Sequence, residues 1–194
     1  MIPRFNNYDA VKAYTETQQL PKGGYVLKVL AAELETTSKG GYAVKISFDV
    51  AEGLFKDFFK VQYKESTSED KKWKGVTRIY IPSDTDPEWA QRRFKTTMGA
   101  FEESNEGFRF AWDETKLKGL LIGGVFNLKE WEYEGRTGWA THFKSFYSVD
   151  AIRSEKFKIP EDEPLKTTGE ASSTMNAGFM QIPDGPEDEG LPFN

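Results

Sequence analysis

Tyr42, Val44, Ile46, Phe48 and Val50 alternate with Ala43, Lys45, Ser47 and Asp49. Successive side chains of a strand point to opposite faces, so this run predicts a strand with one apolar face. A strand over residues 25–34 precedes it, joined by the turn-rich segment Thr36-Thr37-Ser38-Lys39-Gly40-Gly41. Gly53 marks the next turn. A third strand is expected over residues 58–63, with Phe59, Val61 and Tyr63 on one side and Phe58, Lys60 and Gln62 on the other. A polar stretch over 64–75 interrupts it, and residues 76–81 resume as a strand with Arg78 and Tyr80 on one face. A helix follows: Asp86 is a suitable N-cap, Pro87 suits the first helical position, and Ala90, Phe94, Thr97, Met98 and Phe101 recur at helical spacing until Asn105 and Gly107. The last elements form a hairpin, 121–133 and 138–149, turning at Glu134-Gly135-Arg136-Thr137. Within it, Gly123-Gly124 predicts a bulge or a close backbone approach. A short helix is expected over 8–14, closed by Leu20-Pro21-Lys22-Gly23-Gly24.

Strands, a helix, then two strands is the element order of the OB-fold. The expectation is a mainly β chain: an OB-like five-stranded β-barrel over residues 1–160, with one main helix between the third and fourth strands. Residues 161–194 are rich in Pro, Gly, Ser, Thr and acids, which predicts a flexible acidic tail.

The net charge of −5 over 194 residues conceals an asymmetry. From Glu161 onward there are eight acids and one lysine, a net −7, leaving 25 basic and 23 acidic residues before it, a net +2. A body of that balance can bind a polyanion if its cations share a face. Cysteine is absent, which excludes a disulfide framework, a thiol nucleophile and Cys-ligated zinc. There is no apolar run of transmembrane length and no apolar stretch at the N-terminus, so no membrane partner is expected and a cytoplasmic location is the default.

Catalysis has little foundation here. His142 is the one histidine, in the polar register of a hairpin strand beside Lys144. No phosphate-binding glycine loop is present, and neither Glu102-Glu103 nor Glu161-Asp162-Glu163 has spacing that points to a metal. No enzyme activity, cofactor or metal is expected.

Single-strand binders combine cations for phosphates with flat side chains for bases. With the aliphatic faces turned inward, Lys45, Phe58, Lys60, Arg78 and Tyr80 point outward. The flanking loops add Lys39 and Arg136, the latter among Trp131, Tyr133 and Trp139. The 64–75 insertion adds Lys71, Lys72, Trp73 and Lys74, an exposed indole among three cations. The competing reading is that Trp73 covers a barrel end and the lysines form a solvated face.

The chain ends in Pro186-Glu187-Asp188-Glu189-Gly190-Leu191-Pro192-Phe193-Asn194, an acidic run leading to a small apolar hook. This tail resembles that of bacterial and phage single-stranded DNA-binding proteins, although Asn194 follows the Phe. The resemblance implies that Leu191, Pro192 and Phe193 recruit replication or recombination proteins. Ser38-Lys39-Gly40-Gly41-Tyr42 through Val50, Gly53, Lys56-Asp57, Gly119-Leu120-Leu121-Ile122-Gly123 and Tyr147-Ser148-Val149-Asp150 resemble an uncharacterised phage family found near recombination and replication functions. The implied function is sequence-independent single-stranded DNA binding in phage or prophage DNA replication or recombination, in the host cytoplasm and compatible with homo-oligomers. The alternative is a phage structural or adaptor protein whose barrel binds protein. A nuclease would instead show divalent-metal dependence, and a DNA binder a steep loss of affinity with salt.

Overall fold

The apolar face of residues 42–50 becomes the centre of the core. In the computed structural model, which describes residues 19–38 and 40–165, Val44, Ile46, Phe48 and Val50 are all buried. They belong to β2 (Tyr42–Val50), paired with β1 (Gly23–Thr36) on one side and β3 (Val76–Ile81) on the other. The remaining strands are β4 (Leu121–Tyr133) and β5 (Arg136–Tyr147). All pairings are antiparallel, and the order is β3-β2-β1-β4-β5. The expected helix near residues 8–14, Lys39, and Leu191, Pro192 and Phe193 lie outside the described residues.

The sheet does not close into a barrel, because β3 and β5 do not pair. The long helix α2 (Glu88–Ser104), between β3 and β4 as expected, packs against β3, β4 and β5. Its Phe94, Met98 and Phe101 are buried with the inward residues of the sheet. Apolar surface that strand pairing would otherwise cover is therefore covered by helix. Asp86 does not cap α2: its carboxylate turns back to accept the amide and hydroxyl of Ser83. The helix C-terminus is tied down by Asn105. Its side-chain amide donates to the carbonyls of Phe101 and Leu121, and its oxygen accepts the Leu121 amide at 2.9 Å.

The expected third strand is instead a helix, α1 (Phe58–Glu65). Phe55, Phe58 and Phe59 stand at helical spacing and touch edge to face, the latter pair at 5.3 Å. Their aromatic, β-branched neighbourhood imitates strand composition, but tertiary contacts override that propensity. A short 3-10 turn (Glu114–Leu117) leads into β4, and α3 (Val149–Arg153) follows β5. Leu20 also enters the core, with 1% of its surface exposed.

Gly124 is a site of close approach: a Cβ there would lie 2.4 Å from the Leu27 side chain. A bulge follows between Val125 and Phe126. The β4–β5 turn is Glu134-Gly135, both with positive φ, 49° and 74°. That is the signature of a tight turn matching the twist of its strands. Much of the aromatic content is internal, since Phe48 alone contacts Phe59, Phe126 and Phe143 at 5.6–6.1 Å.

Candidate nucleic-acid interface

Lys45 and Arg78 are register partners on β2 and β3, and Tyr80 pairs with Ala43 two residues along. Paired residues share a face, so Lys45, Arg78 and Tyr80 lie together on the outer side of the sheet. The Tyr80 side chain is well exposed, at 62%. The same face holds Glu35 of β1. Its carboxylate accepts the Arg78 Nε at 3.0 Å and ion-pairs the Lys45 Nζ at 3.3 Å. Burial pulls the Glu35 carboxyl pKa upward, but the hydrogen bonds and charges of Arg78 and Lys45 outweigh it and hold it low. The two expected phosphate ligands thus share a fixed counter-charge. Sequence reading missed Glu35 because only the β1–β2 register places it beside these cations.

Phe58 and Lys60 do not join this face. Both sit on α1, where Phe58 packs against the core and Lys60 ion-pairs with Asp57 at 3.7 Å. The cause is the helix that replaces the expected strand. Lys71, Lys72 and Lys74 are exposed, but Trp73 is half-buried. Its indole N–H donates to the Phe48 carbonyl at 3.0 Å, and its ring lies 5.9 Å from Tyr63 against the core. An indole in a polar loop finds a free strand carbonyl to satisfy its one donor, which turns it inward.

The β4–β5 ribbon is the third region. β1 pairs with β4 only as far as Phe126, and the ribbon runs on to its turn at Glu134-Gly135. Trp131 lies across Gly138, where a Cβ would come within 2.7 Å of the ring. At the tip, Trp131, Tyr133, Glu134 and Arg136 line a concavity of about 220 Å³. Two aromatic residues therefore share this concavity with one cation, Arg136, and one acid, Glu134. Trp139 pairs with Glu130 and falls on the opposite face from Trp131. Lys45, Arg78 and Tyr80 lie toward the β1–β2 turn, whereas the ribbon tip leaves the other end of β1. The expected site is thus divided in two along the sheet.

The root of the ribbon is clasped. Residues 161–165 of the acidic segment run beside β4, with Glu163 bridging Lys129 in parallel. Asp162 pairs with Lys22 at 2.6 Å, and Glu163 with Lys144 at 2.5 Å. Buried Asn127 donates to the Glu161 carbonyl and to the Glu163 carboxylate. A larger concavity of about 320 Å³, between Gly24-Tyr25-Val26 and Gly53-Leu54-Phe55, combines no cation with its rings.

Sequence reading also passed over Trp112. It stacks on Phe94 with centroids 5.8 Å apart and planes 19° apart, and it is 75% exposed. The run Phe108-Arg109-Phe110-Ala111-Trp112, alternating aromatic and other residues in a connector, carried that signal. Among the described residues, no helix is long and apolar enough to cross a membrane, and no group of three or more His, Asp or Glu is placed to hold a metal. No family model and no curated protein matches the chain.

Proposed function

We propose that this chain binds single-stranded DNA without sequence preference and without enzymatic turnover, in phage or prophage DNA replication or recombination. The observation that supports this most is the ribbon tip, where Arg136 shares one concavity with Trp131 and Tyr133. A guanidinium neutralises phosphate while each ring offers a face to a base, worth about 1–3 kcal/mol per stacked base. Lys45, Arg78 and Tyr80 extend the surface at the other end of the sheet, and Lys71 and Lys72 add charge. On this reading the fold is an OB-like barrel left open, since one further pairing of β3 with β5 would close the strand order into a ring. The acidic tail then presents Leu191, Pro192 and Phe193 to replication or recombination proteins in the host cytoplasm.

A protein-binding adaptor is the second reading. It is favoured by Glu35, which already neutralises Lys45 and Arg78, and by β3 and β5, each of which lacks a second strand neighbour among the described residues. Anisotropy titration of labelled single strands and duplex across a salt series separates the two. Tight single-strand binding that weakens steeply with salt supports the first reading. No binding at low salt, or equal binding of duplex, removes it.

A further inference from the structure

The ribbon tip carries an acid that its turn does not call for. Glu134 and Gly135 both adopt left-handed φ, 49° and 74°. Tight turns of this kind favour Asn, Asp or Gly in the first position, because other side chains are disfavoured at positive φ. Glu134 stands there nonetheless, and it lines the same concavity as Trp131, Tyr133 and Arg136. A carboxylate also repels a phosphate backbone. Neither turn geometry nor phosphate binding therefore accounts for this residue.

Its surroundings indicate what it receives. Among the described residues, the Glu134 side chain makes no hydrogen bond or ion pair, and Arg136 in the same concavity does not neutralise it. The cations of the sheet face differ, since Lys45 and Arg78 already share Glu35. Both oxygens of Glu134, which can only accept hydrogen bonds when ionised, thus lack a protein donor. Tyr133 is the register partner of Arg136 and Trp131 that of Gly138, so all four share one face of the ribbon. At about 220 Å³ the concavity is smaller than the roughly 300–1,000 Å³ of sites for drug-sized molecules, which suits a single base.

We infer that the ribbon tip favours guanine, with Glu134 accepting the N1–H and the 2-amino group of a base stacked against Trp131 or Tyr133. The chemistry of the base edges makes the choice. A carboxylate needs two adjacent donors, and an acceptor placed opposite it repels. Guanine presents N1–H beside its amino group. Adenine and cytosine each set a ring-nitrogen acceptor beside their amino group, and thymine flanks its N3–H with two carbonyls. An apolar occupant would leave the acid unmatched in a closed contact, which is costly. This rests on the reading that the chain binds single-stranded DNA and qualifies it: phosphate contacts elsewhere stay indifferent to sequence, while one nucleotide position is read.

The test uses the full chain and thymidine oligonucleotides in which one central base is replaced by guanine, adenine, cytosine or hypoxanthine. Guanine should tighten binding by about fivefold or more over the all-thymidine strand. Adenine, a purine that stacks as well but lacks the paired donors, should not. Hypoxanthine, which keeps N1–H and lacks the 2-amino group, should recover only part of the gain. Glu134→Gly should erase the preference and leave thymidine binding equal or tighter, because it removes a negative charge. It should fold at least as well as the parent, since glycine suits the positive φ of that position. Guanine binding no better than adenine, or a preference that survives Glu134→Gly, would overturn the inference and leave single-strand binding standing. Failure of the parent chain to bind any of these strands at low salt overturns both.

Discussion

Asp49, at the end of β2, caps a helix it does not belong to: its Oδ1 accepts the amide of Phe59 in α1 at 2.9 Å. The same carboxylate takes the amides of Val50 and Lys60, at 2.8 and 3.1 Å. Asp57, the residue at the helix N-cap, makes no side-chain cap. The orphan donors of the first turn are therefore met from the neighbouring strand. This buried acid thus caps a helix where residue pattern predicts a strand.

Asp49→Ala should cost about 2 kcal/mol, because three buried or half-buried amides lose their acceptor. Asp49→Asn keeps an oxygen and should cost less. Burial raises the Asp49 pKa against the pull of the three amides. A raised folded-state value means stability that is full below the unfolded pKa and is lost as pH rises through the folded one. The deficit of the Asn variant should therefore shrink as pH rises through that window. Urea unfolding of both variants from pH 3 to 7 checks this, about the range where carboxyls titrate.

Glu163 should show the opposite slope. Burial pulls its carboxyl upward, but hydrogen bonds from Lys144 and Asn127, with the charges of Lys144 and His142, leave it below the usual range. Its contribution is present above the unfolded value, about 4.3, and is lost as pH falls through the folded one. Glu163→Gln should flatten the acid limb of the stability curve measured by thermal melting.

The clasp also separates two truncations. Removing residues 166–194 spares Asp162, Glu163 and their bonds to Lys22, Lys144 and Asn127. Removing 161–194 takes them away. The second chain should melt several degrees lower than the first, in side-by-side calorimetry. Equal melting temperatures would show that the clasp adds nothing to stability.

Glu35→Gln should raise single-strand affinity at low salt. It releases Lys45 and Arg78 from a carboxylate that now holds both. The gain should fade as added salt screens the phosphates and the cations alike. Anisotropy titration at two ionic strengths reads it, and an unchanged affinity would place DNA away from this face.

Trp73→Phe should act on stability before binding. It deletes the hydrogen bond to the Phe48 carbonyl and costs about 1 kcal/mol. Trp73→Ala should cost more by also removing a ring packed on Tyr63. A normal melting curve with impaired oligonucleotide binding would instead return Trp73 to the interface.

Period-two alternation determined β2 and β3, because a strand with one wet face writes its register into adjacent residues. The glycines at 53, 123, 124 and 135 were legible for a similar reason: positive φ and close approach restrict residue type locally. The helix of residues 88–104 was legible from its 3.6-residue spacing, which its buried Phe94, Met98 and Phe101 enforce. Other features lay outside any local window. Asp49 caps the helix of residues 58–65 from ten positions away. The Phe48 carbonyl draws in Trp73 across twenty-five. Glu35 meets Arg78 only through the order of three strands. Whether the sheet closes turns on a pairing of β3 with β5, strands far apart in the chain, and the division of the cations and rings between two ends of the sheet was decided by strand direction. Each of these is a long-range contact, and chain-local patterning carries no information about which distant partner satisfies a donor, a charge or an apolar face.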